Sequence, residues 1–168
     1  MESSLKTLVW QQFGAAIDTL DHAISSCPDS LWTTVLWKDP DDVRYGQFWF
    51  VAYHAVFWID LYLAGYSEGF APPPPFVRGV LPKEPYTRDQ VLTYLDQCRR
   101  KCQSTLEALT DEKAYQLCTF EWYEASYLEM QLYSMRHVQE HAAQLNLVLG
   151  QHDVPDRDWF TNARDTVA

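Results

Sequence analysis

The amino-acid sequence predicts an all-α fold, a four-helix bundle formed by a single domain over residues 1–168. Four segments carry apolar residues at three- and four-residue steps, which is the pattern of amphipathic helices. No segment alternates convincingly as a half-buried strand does, and no internal repeat is visible. Of the 168 residues, 47% are hydrophobic and 15% aromatic, so the chain can bury a substantial core.

The first two helices are predicted at about 4–26 and 45–64. The first ends before Pro28, because proline cannot continue a helix. A loop with at most one short helical turn follows it. The second helix ends at Gly65, and we expect it to be largely buried because it is apolar on nearly every face.

The connection 66–86 is rich in proline, including the run 72–75, and this composition excludes a helix. A proline run can be a docking ligand for an aromatic groove or a stiff spacer, and a spacer is the simpler interpretation here. The connection can span more than the roughly 30 Å length of a 20-residue helix. It therefore predicts a long crossover that lets the second and third helices run parallel.

The third helix is predicted to begin at Thr87, because Thr87 and Gln90 have the spacing of a capping box. Apolar residues at helical spacing continue to Leu109. The segment 110–125 is ambiguous, since part of it fits an extended connection as well as a helix. No strand is predicted there.

The last helix is predicted from Ser126, where Glu129 completes a second capping box, to Gly150 as its C-cap. The tail beyond it carries Trp159 and Phe160. These large apolar side chains predict that the tail packs on the body of the protein without regular structure.

The charge of the chain excludes some classes of partner. The formal net charge is −10 and the isoelectric point is near 4.8. Such a surface repels phosphate groups, so we expect neither nucleic-acid binding nor docking on a membrane. The N-terminus lacks a basic stretch followed by an apolar run, and no apolar window is long enough to span a bilayer.

The cysteines indicate the compartment. Cys27, Cys98, Cys102 and Cys118 form no C-x-x-C pair, and their density is low for a disulfide scaffold. We interpret them as reduced, mostly buried thiols of a cytoplasmic protein. Cys98 and Cys102 share a helix face, and a thiolate metal site there is a weaker alternative.

Three histidines are the candidate functional residues. His137 and His141 lie four residues apart in the last predicted helix, so their imidazoles leave the same face. His54 lies in the middle of the second, strongly apolar helix. Imidazole nitrogens bind a metal ion at about 2.0–2.1 Å, so three of them on two helices can share one ion and leave coordination positions open. For His54 alone, a hydrogen-bonded core residue is the alternative.

The segment from His137 to His141 also spells H-x-x-E-H, the inverted zinc-protease motif, in which Glu140 would be the general base. In that motif a further acidic ligand is needed downstream. The sequence offers no helix after His141 to supply one, so we disfavour a protease.

Taken together, a histidine in the middle of the second helix, H-x-x-x-H in the last helix and Gln144 three residues later resemble the DinB/YfiT-like superfamily of metal-dependent proteins. The resemblance extends to length, helix order and the long second crossover. It implies a four-helix bundle with up-down-down-up topology. It also implies a homodimer and a divalent metal, most often zinc or nickel, held by His54, His137 and His141.

The resemblance further implies a small metalloenzyme acting on a small-molecule substrate, because the better-understood members are transferases and isomerases that use a low-molecular-weight thiol. A bound metal ion lowers the pKa of a thiol or water. Candidates to contact a substrate carboxylate are Arg44, Arg78 and Arg136. Candidates to line an apolar pocket are Trp58, Trp122 and Tyr133.

Two other functions remain open. One is a metal-dependent hydrolase that uses metal-bound water, with Glu129 or Glu140 as the base. The other is a bundle that binds a metal or an apolar ligand without catalysis. The sequence does not select the metal, because three imidazoles suit zinc, nickel, copper and iron alike.

Overall fold

The computed structural model describes residues 3–155 and 158–164. Within these ranges the chain is mostly helical, consistent with the predicted all-α class. The helices are α1 (Ser3–Ser26), α2 (Phe48–Ala64), α3 (Arg88–Glu107), α4 (Asp111–Tyr115) and α5 (Tyr127–Gln151). Two short strands, β1 (Leu117–Thr119) and β2 (Glu124–Ser126), form an antiparallel hairpin.

The first two helices lie close to their predicted bounds. Helix α2 begins three residues later than predicted, because Val43–Gly46 form a 3₁₀ turn. The side chain of Asp42 caps this turn by accepting a hydrogen bond from the backbone N–H of Arg44 at 2.9 Å. Gly65 ends α2 with φ of 79°, a left-handed conformation that glycine adopts without strain.

The predicted capping box at the start of α3 is confirmed. The Thr87 hydroxyl accepts from the backbone N–H of Gln90 at 3.2 Å, and the Gln90 side-chain oxygen accepts from the N–H of Thr87 at 2.8 Å. These two bonds satisfy donors that the first turn of a helix leaves unpaired. The connection 66–86 has no helix, as predicted.

Helix α5 begins where predicted but ends differently. The Ser126 hydroxyl accepts from the N–H of Glu129 at 3.4 Å. The prediction that Gly150 caps the C-terminus is wrong, because the helix continues through Gly150 to Gln151. His152 is the C-cap, and its N–H donates to the carbonyls of Val148 and Leu149.

The expectation that the chain has no strands is also wrong. The ambiguous segment folds into α4 and the β1–β2 hairpin, in which Cys118 pairs with Ala125. Each strand has three residues with only the central one buried. A pattern this short cannot be distinguished from a loop by periodicity.

The long helices share one buried core. Helix α1 packs against α3 and α5, and α2 packs against the same two helices. The Tyr127 hydroxyl donates to the Leu63 carbonyl at 2.8 Å, and this bond places the start of α5 beside the end of α2. The largest fully buried side chains include Trp49, Tyr94, Tyr127, Phe13, Phe48 and Ile17.

A buried carboxylate joins the tail to the helices. Asp18 on α1 is fully buried, and its oxygens accept from Arg99 Nε on α3 at 2.7 Å and from the backbone N–H of Arg164 at 2.6 Å. Next to it, Ala163 is buried and its N–H donates to the Gln11 carbonyl at 2.9 Å. The tail therefore packs on the body, although Trp159 is 78% exposed.

The four cysteines are free and buried, as predicted. Among the described residues, no helix combines the length and the hydropathy needed to cross a membrane. Burial raises the pKa of the Cys27 thiol to about 12, so this thiol stays protonated at neutral pH.

Candidate metal centre

The three predicted histidines meet at the interface of α2 and α5. Nε2 of His137 lies 3.1 Å from Nε2 of His54 and 3.0 Å from Nε2 of His141. In the described part of the chain, this is the one group of three or more histidine, cysteine or acidic side chains whose ligand atoms are close enough to share an ion. The alternative thiolate site at Cys98 and Cys102 is not among such groups.

The position of the histidines follows from the helices that carry them. Helix α2 is apolar on nearly every face, so His54 is carried into the core with its neighbours. On α5 the spacing of four residues places His137 and His141 one turn apart on the same side. The interface of α2 and α5 then brings the single histidine opposite the pair.

Burial keeps all three imidazoles neutral. Burial, together with the neighbouring imidazoles, lowers the pKa of His54 to about 3 and that of His137 to about 4. Burial also lowers the pKa of His141. At neutral pH each ring therefore has a free lone pair, and an ion need not displace a proton from an imidazolium.

Gln144 orients one of the rings. Its side-chain oxygen lies 2.8 Å from Nδ1 of His141. Since an amide oxygen only accepts, Nδ1 carries the ring proton, and the lone pair of Nε2 points at the other two histidines. This is the usual arrangement around a histidine that binds metal through its other nitrogen.

The residues fit a divalent ion. Nε2 of His137 faces two other Nε2 atoms, and a single ring proton can serve one of these contacts at a time. One cation between the rings would accept the Nε2 lone pairs of all three histidines once the ring proton of His54 lies on its Nδ1. Two nitrogens bound to one ion at about 2.0–2.1 Å are about 2.9–3.4 Å apart, and the observed separations lie in this range.

A comparison with known families agrees with this geometry. The sequence model of the DinB superfamily matches residues 12–145, which include all three histidines. The chain belongs to the DinB superfamily. A search of curated proteins finds no match to the chain. The resemblance noted from the histidine positions is therefore confirmed at the level of the superfamily.

In this DinB protein, Trp58 makes an unusual contact with the site. Its indole N–H donates to Nδ1 of His54 at 3.2 Å. Because an indole nitrogen only donates, neutral His54 has its proton on Nε2, the nitrogen that faces the other histidines. To hold an ion through Nε2, His54 would need this proton on Nδ1, where it would face the indole N–H. The hydrogen bond from Trp58 would then be lost.

We expect Trp58→Phe to bind zinc about tenfold more tightly than the wild type, because one hydrogen bond that opposes binding is removed. Competition with a chromophoric chelator measures the affinity. Trp122→Phe is the matched control, since Trp122 packs edge-on against Trp58 at 5.3 Å and is 46% exposed. Weaker zinc binding by Trp58→Phe would instead make the indole a support for His54.

We expect the metal-free protein to lose stability between pH 7 and pH 5. Unfolded histidine has a pKa of about 6.5, whereas folded His54 and His137 have values of about 3 and 4. Below pH 6.5 the unfolded chain binds protons that the folded chain does not, so the free energy of unfolding falls by about 2 kcal/mol for each at pH 5.

Urea unfolding at the two pH values, with chelator present, measures this effect. His54→Gln removes one of the titrating rings and should lose less stability on acidification than the wild type. The exposed His152 provides the control, and His152→Ala should lose as much as the wild type. An equal loss in all three proteins would show that the buried rings do not govern the pH dependence.

Two cavities open beside the histidines. The first, of about 190 Å³, lies between α2 and the connection 66–86 and is lined by Tyr53, His54, Phe57, Trp58, Val77 and Leu81 among others. The second, which we call the Trp37 cavity, has about 340 Å³ and is lined by Trp37, Asp39, Tyr45, Phe50, Val51, His54 and His141.

The loop before α2 supplies one wall of the Trp37 cavity. This loop folds back on itself, and the N–H of Leu36 donates to the Gly46 carbonyl at 2.7 Å. A Cβ at Gly46 would lie 2.0 Å from the Trp37 carbonyl oxygen, so only glycine permits this approach. Sequence reasoning missed Trp37 and Asp39, because residues in an irregular loop give no periodic signal. It also missed Tyr45, which was predicted to begin the second helix but lies in the 3₁₀ turn before it.

The predicted arginine contacts lie elsewhere. Arg44 pairs with Asp42 at 2.6 Å and donates to the Pro82 carbonyl, and Arg78 donates to the Ser67 carbonyl. Arg136 lines a separate cavity between α1 and α5. None of the three lines the cavities beside the histidines.

The remaining predicted residues, which were candidates for the pocket wall or for a catalytic base, lie in different places. Trp58 lines the first cavity, whereas Tyr133 packs edge-on against Tyr62 at 5.5 Å. Glu129 and Glu140, the candidate bases, are exposed, and Glu129 accepts a hydrogen bond from the Tyr123 hydroxyl at 3.2 Å. Neither glutamate belongs to the histidine group.

Proposed function

We propose that this DinB protein is a small metalloenzyme in which His54, His137 and His141 hold a divalent ion, zinc or nickel. The convergence of the three Nε2 atoms carries the proposal. The ion, when bound, lowers the pKa of a thiol or water so that it can act as a nucleophile near neutral pH. Gln144 holds the tautomer of His141, and aromatic side chains line the two cavities beside the histidines.

We further propose a four-helix bundle with up-down-down-up topology. Contacts of α2 support it: Leu63 meets Tyr127 at the start of α5, which suits antiparallel helices. Trp49 near the start of α2 packs edge-on against Tyr86, which precedes α3, with centroids 5.9 Å apart. Further along α2, Asp60 accepts from Lys101 of α3 at 2.6 Å, and contacts in this order suit parallel helices. The connection 66–86 would then be the long crossover between two helices of the same direction.

For the reaction, we favour transfer or isomerisation that uses a low-molecular-weight thiol. A thiol loses its proton readily at a metal and needs no protein base. Hydrolysis requires a group to take a proton from water, and the predicted bases Glu129 and Glu140 are exposed and outside the histidine group. The third possibility is a bundle that binds metal without catalysis, and the experiment has to distinguish it from thiol-dependent transfer and from hydrolysis.

The experiment has two stages. Elemental analysis of protein purified without added metal tests for a bound ion, and His54→Ala serves as the matched protein. Conjugation of electrophiles with several cellular thiols is then compared with hydrolysis of esters and amides. Thiol conjugation that is lost in His141→Ala supports the proposal. Hydrolysis without thiol supports the hydrolase, and metal without any turnover supports a binding protein.

We also propose a homodimer in the cytoplasm. Large apolar side chains at the surface, such as Leu8 at 63% and Leu147 at 62% exposed, support self-association. Four free, buried cysteines support a reducing compartment. Sedimentation of the full chain at several concentrations tests the dimer.

A further inference from the structure

The Trp37 cavity is the space into which a ligand of the metal centre would extend. Both α2 and α5 contribute a histidine to its wall, His54 and His141. A molecule bound to the ion at one end would therefore place its other end in this cavity. Its volume of about 340 Å³ is within the usual range for small-molecule sites.

The charge of the cavity wall selects against anions. Among the described residues that line it, Asp39 is the one charged side chain, and none is an arginine or a lysine. Oδ1 of Asp39 accepts from the backbone N–H of Asp41 at 3.0 Å and of Asp42 at 3.4 Å, which holds the carboxylate in place. Among the described residues, Oδ2 has no protein hydrogen-bond partner. A substrate carboxylate here would meet like charge without a basic partner.

The aromatic side chains of the wall favour positive charge. Trp37, Tyr45 and Phe50 surround the cavity, and the rings of Tyr45 and Phe50 pack edge-on with centroids 4.8 Å apart. The face of an aromatic ring attracts a cation, and aromatic walls with a nearby carboxylate are a known way to recognise ammonium groups.

We propose that the substrate of this site carries a protonated amine on the part remote from the histidines, seated among Trp37, Tyr45 and Phe50 with Asp39 as its counter-ion. This inference rests on the proposed metal-dependent function, because the ion anchors the other end of the molecule. It goes beyond that function by specifying the charge of the substrate, which the three histidines alone do not determine.

Three rigid thiols that differ only at the remote end test the inference. They are 4-(mercaptomethyl)benzylamine, 4-(mercaptomethyl)benzyl alcohol and 4-(mercaptomethyl)benzoate, and their para geometry prevents both ends from reaching one ion. Each is titrated into the cobalt-loaded full chain, and the thiolate-to-cobalt absorption band reports binding. We expect the amine to bind about tenfold more tightly than the alcohol, and the benzoate to bind most weakly.

Asp39→Asn isolates the carboxylate. Its side-chain oxygen can still accept from the N–H groups of Asp41 and Asp42, so the turn is preserved. We expect the advantage of the amine over the alcohol to fall to about twofold, with binding of the alcohol unchanged. Asp41→Asn is the matched control, because Asp41 is exposed and lies outside the cavity wall. It should keep the wild-type preference.

Failure of this inference and failure of the proposed function give different results. An equal amine preference in wild type and Asp39→Asn, or tightest binding of the benzoate, overturns the inference and leaves the thiol function intact. Absence of a thiolate band overturns the thiol function. In that case calorimetric titration with phenyltrimethylammonium decides the inference: binding lost in Asp39→Asn supports it, and no binding to the wild type overturns it.

Discussion

His137→Ala is expected to lower the affinity for zinc by about a thousandfold. Of the three histidines, His137 is the one whose Nε2 lies within 3.1 Å of both others, so its loss leaves two rings that face an open space. The affinity of such a site comes from all its ligands together. The free energy of zinc binding at complete structural sites is about 10–16 kcal/mol, so the loss of one ligand is expected to cost about 4 kcal/mol. Competition with a chelator measures the change.

The control for this variant is His152→Ala. His152 is exposed at the end of α5 and should not affect zinc binding. Circular dichroism of His137→Ala verifies that the helices remain. Zinc affinity close to that of the wild type in a folded His137→Ala protein would exclude the histidine group as the metal site.

Asp18→Ala is expected to lower the free energy of unfolding by about 3–5 kcal/mol. The carboxylate is fully buried and accepts from Arg99 and Arg164, so its removal leaves the Arg99 guanidinium, whose side chain is 12% exposed, without its partner. Breaking a buried ion pair from one side has a cost of this size. Urea unfolding of the metal-free proteins measures it.

Asp96→Ala is the matched control. Asp96 pairs with Arg100 four residues later on α3, and both side chains are more than half exposed. Exposed pairs of this kind contribute about 0.3–0.5 kcal/mol. A similar small loss in Asp18→Ala would mean that the tail and α3 do not depend on the buried carboxylate.

The long helices could be predicted from sequence because their apolar residues repeat over many turns. The capping box at Thr87 predicted the start of α3 at the correct residue, and Gly65 did the same for the end of α2. The hairpin was missed, since three-residue strands have no period to detect. The prediction of Gly150 as a C-cap was wrong, since α5 extends one residue beyond it to Gln151.

The candidate metal centre could be predicted in part for a related reason. Spacing along one helix fixes which side chains share a face, so the proximity of His137 and His141 follows from local geometry. The approach of His54 depends on how α2 meets α5, which helical spacing does not fix. A shared site was predicted because His54 lies in the middle of a second, apolar helix, and the family resemblance implied the same three residues. Trp37 and Asp39 reach the site through a folded loop that has no sequence signature.

The walls of the two cavities have a consequence for relatives of this protein. The histidines stand on rigid helices, but Trp37, Asp39 and the segment 77–81 belong to irregular connections. Connections accept insertions and substitutions more readily than helices do. Descendants of one ancestor can thus keep an identical histidine triad while exchanging the molecules they recognise, and a shared triad alone is a poor guide to a shared substrate.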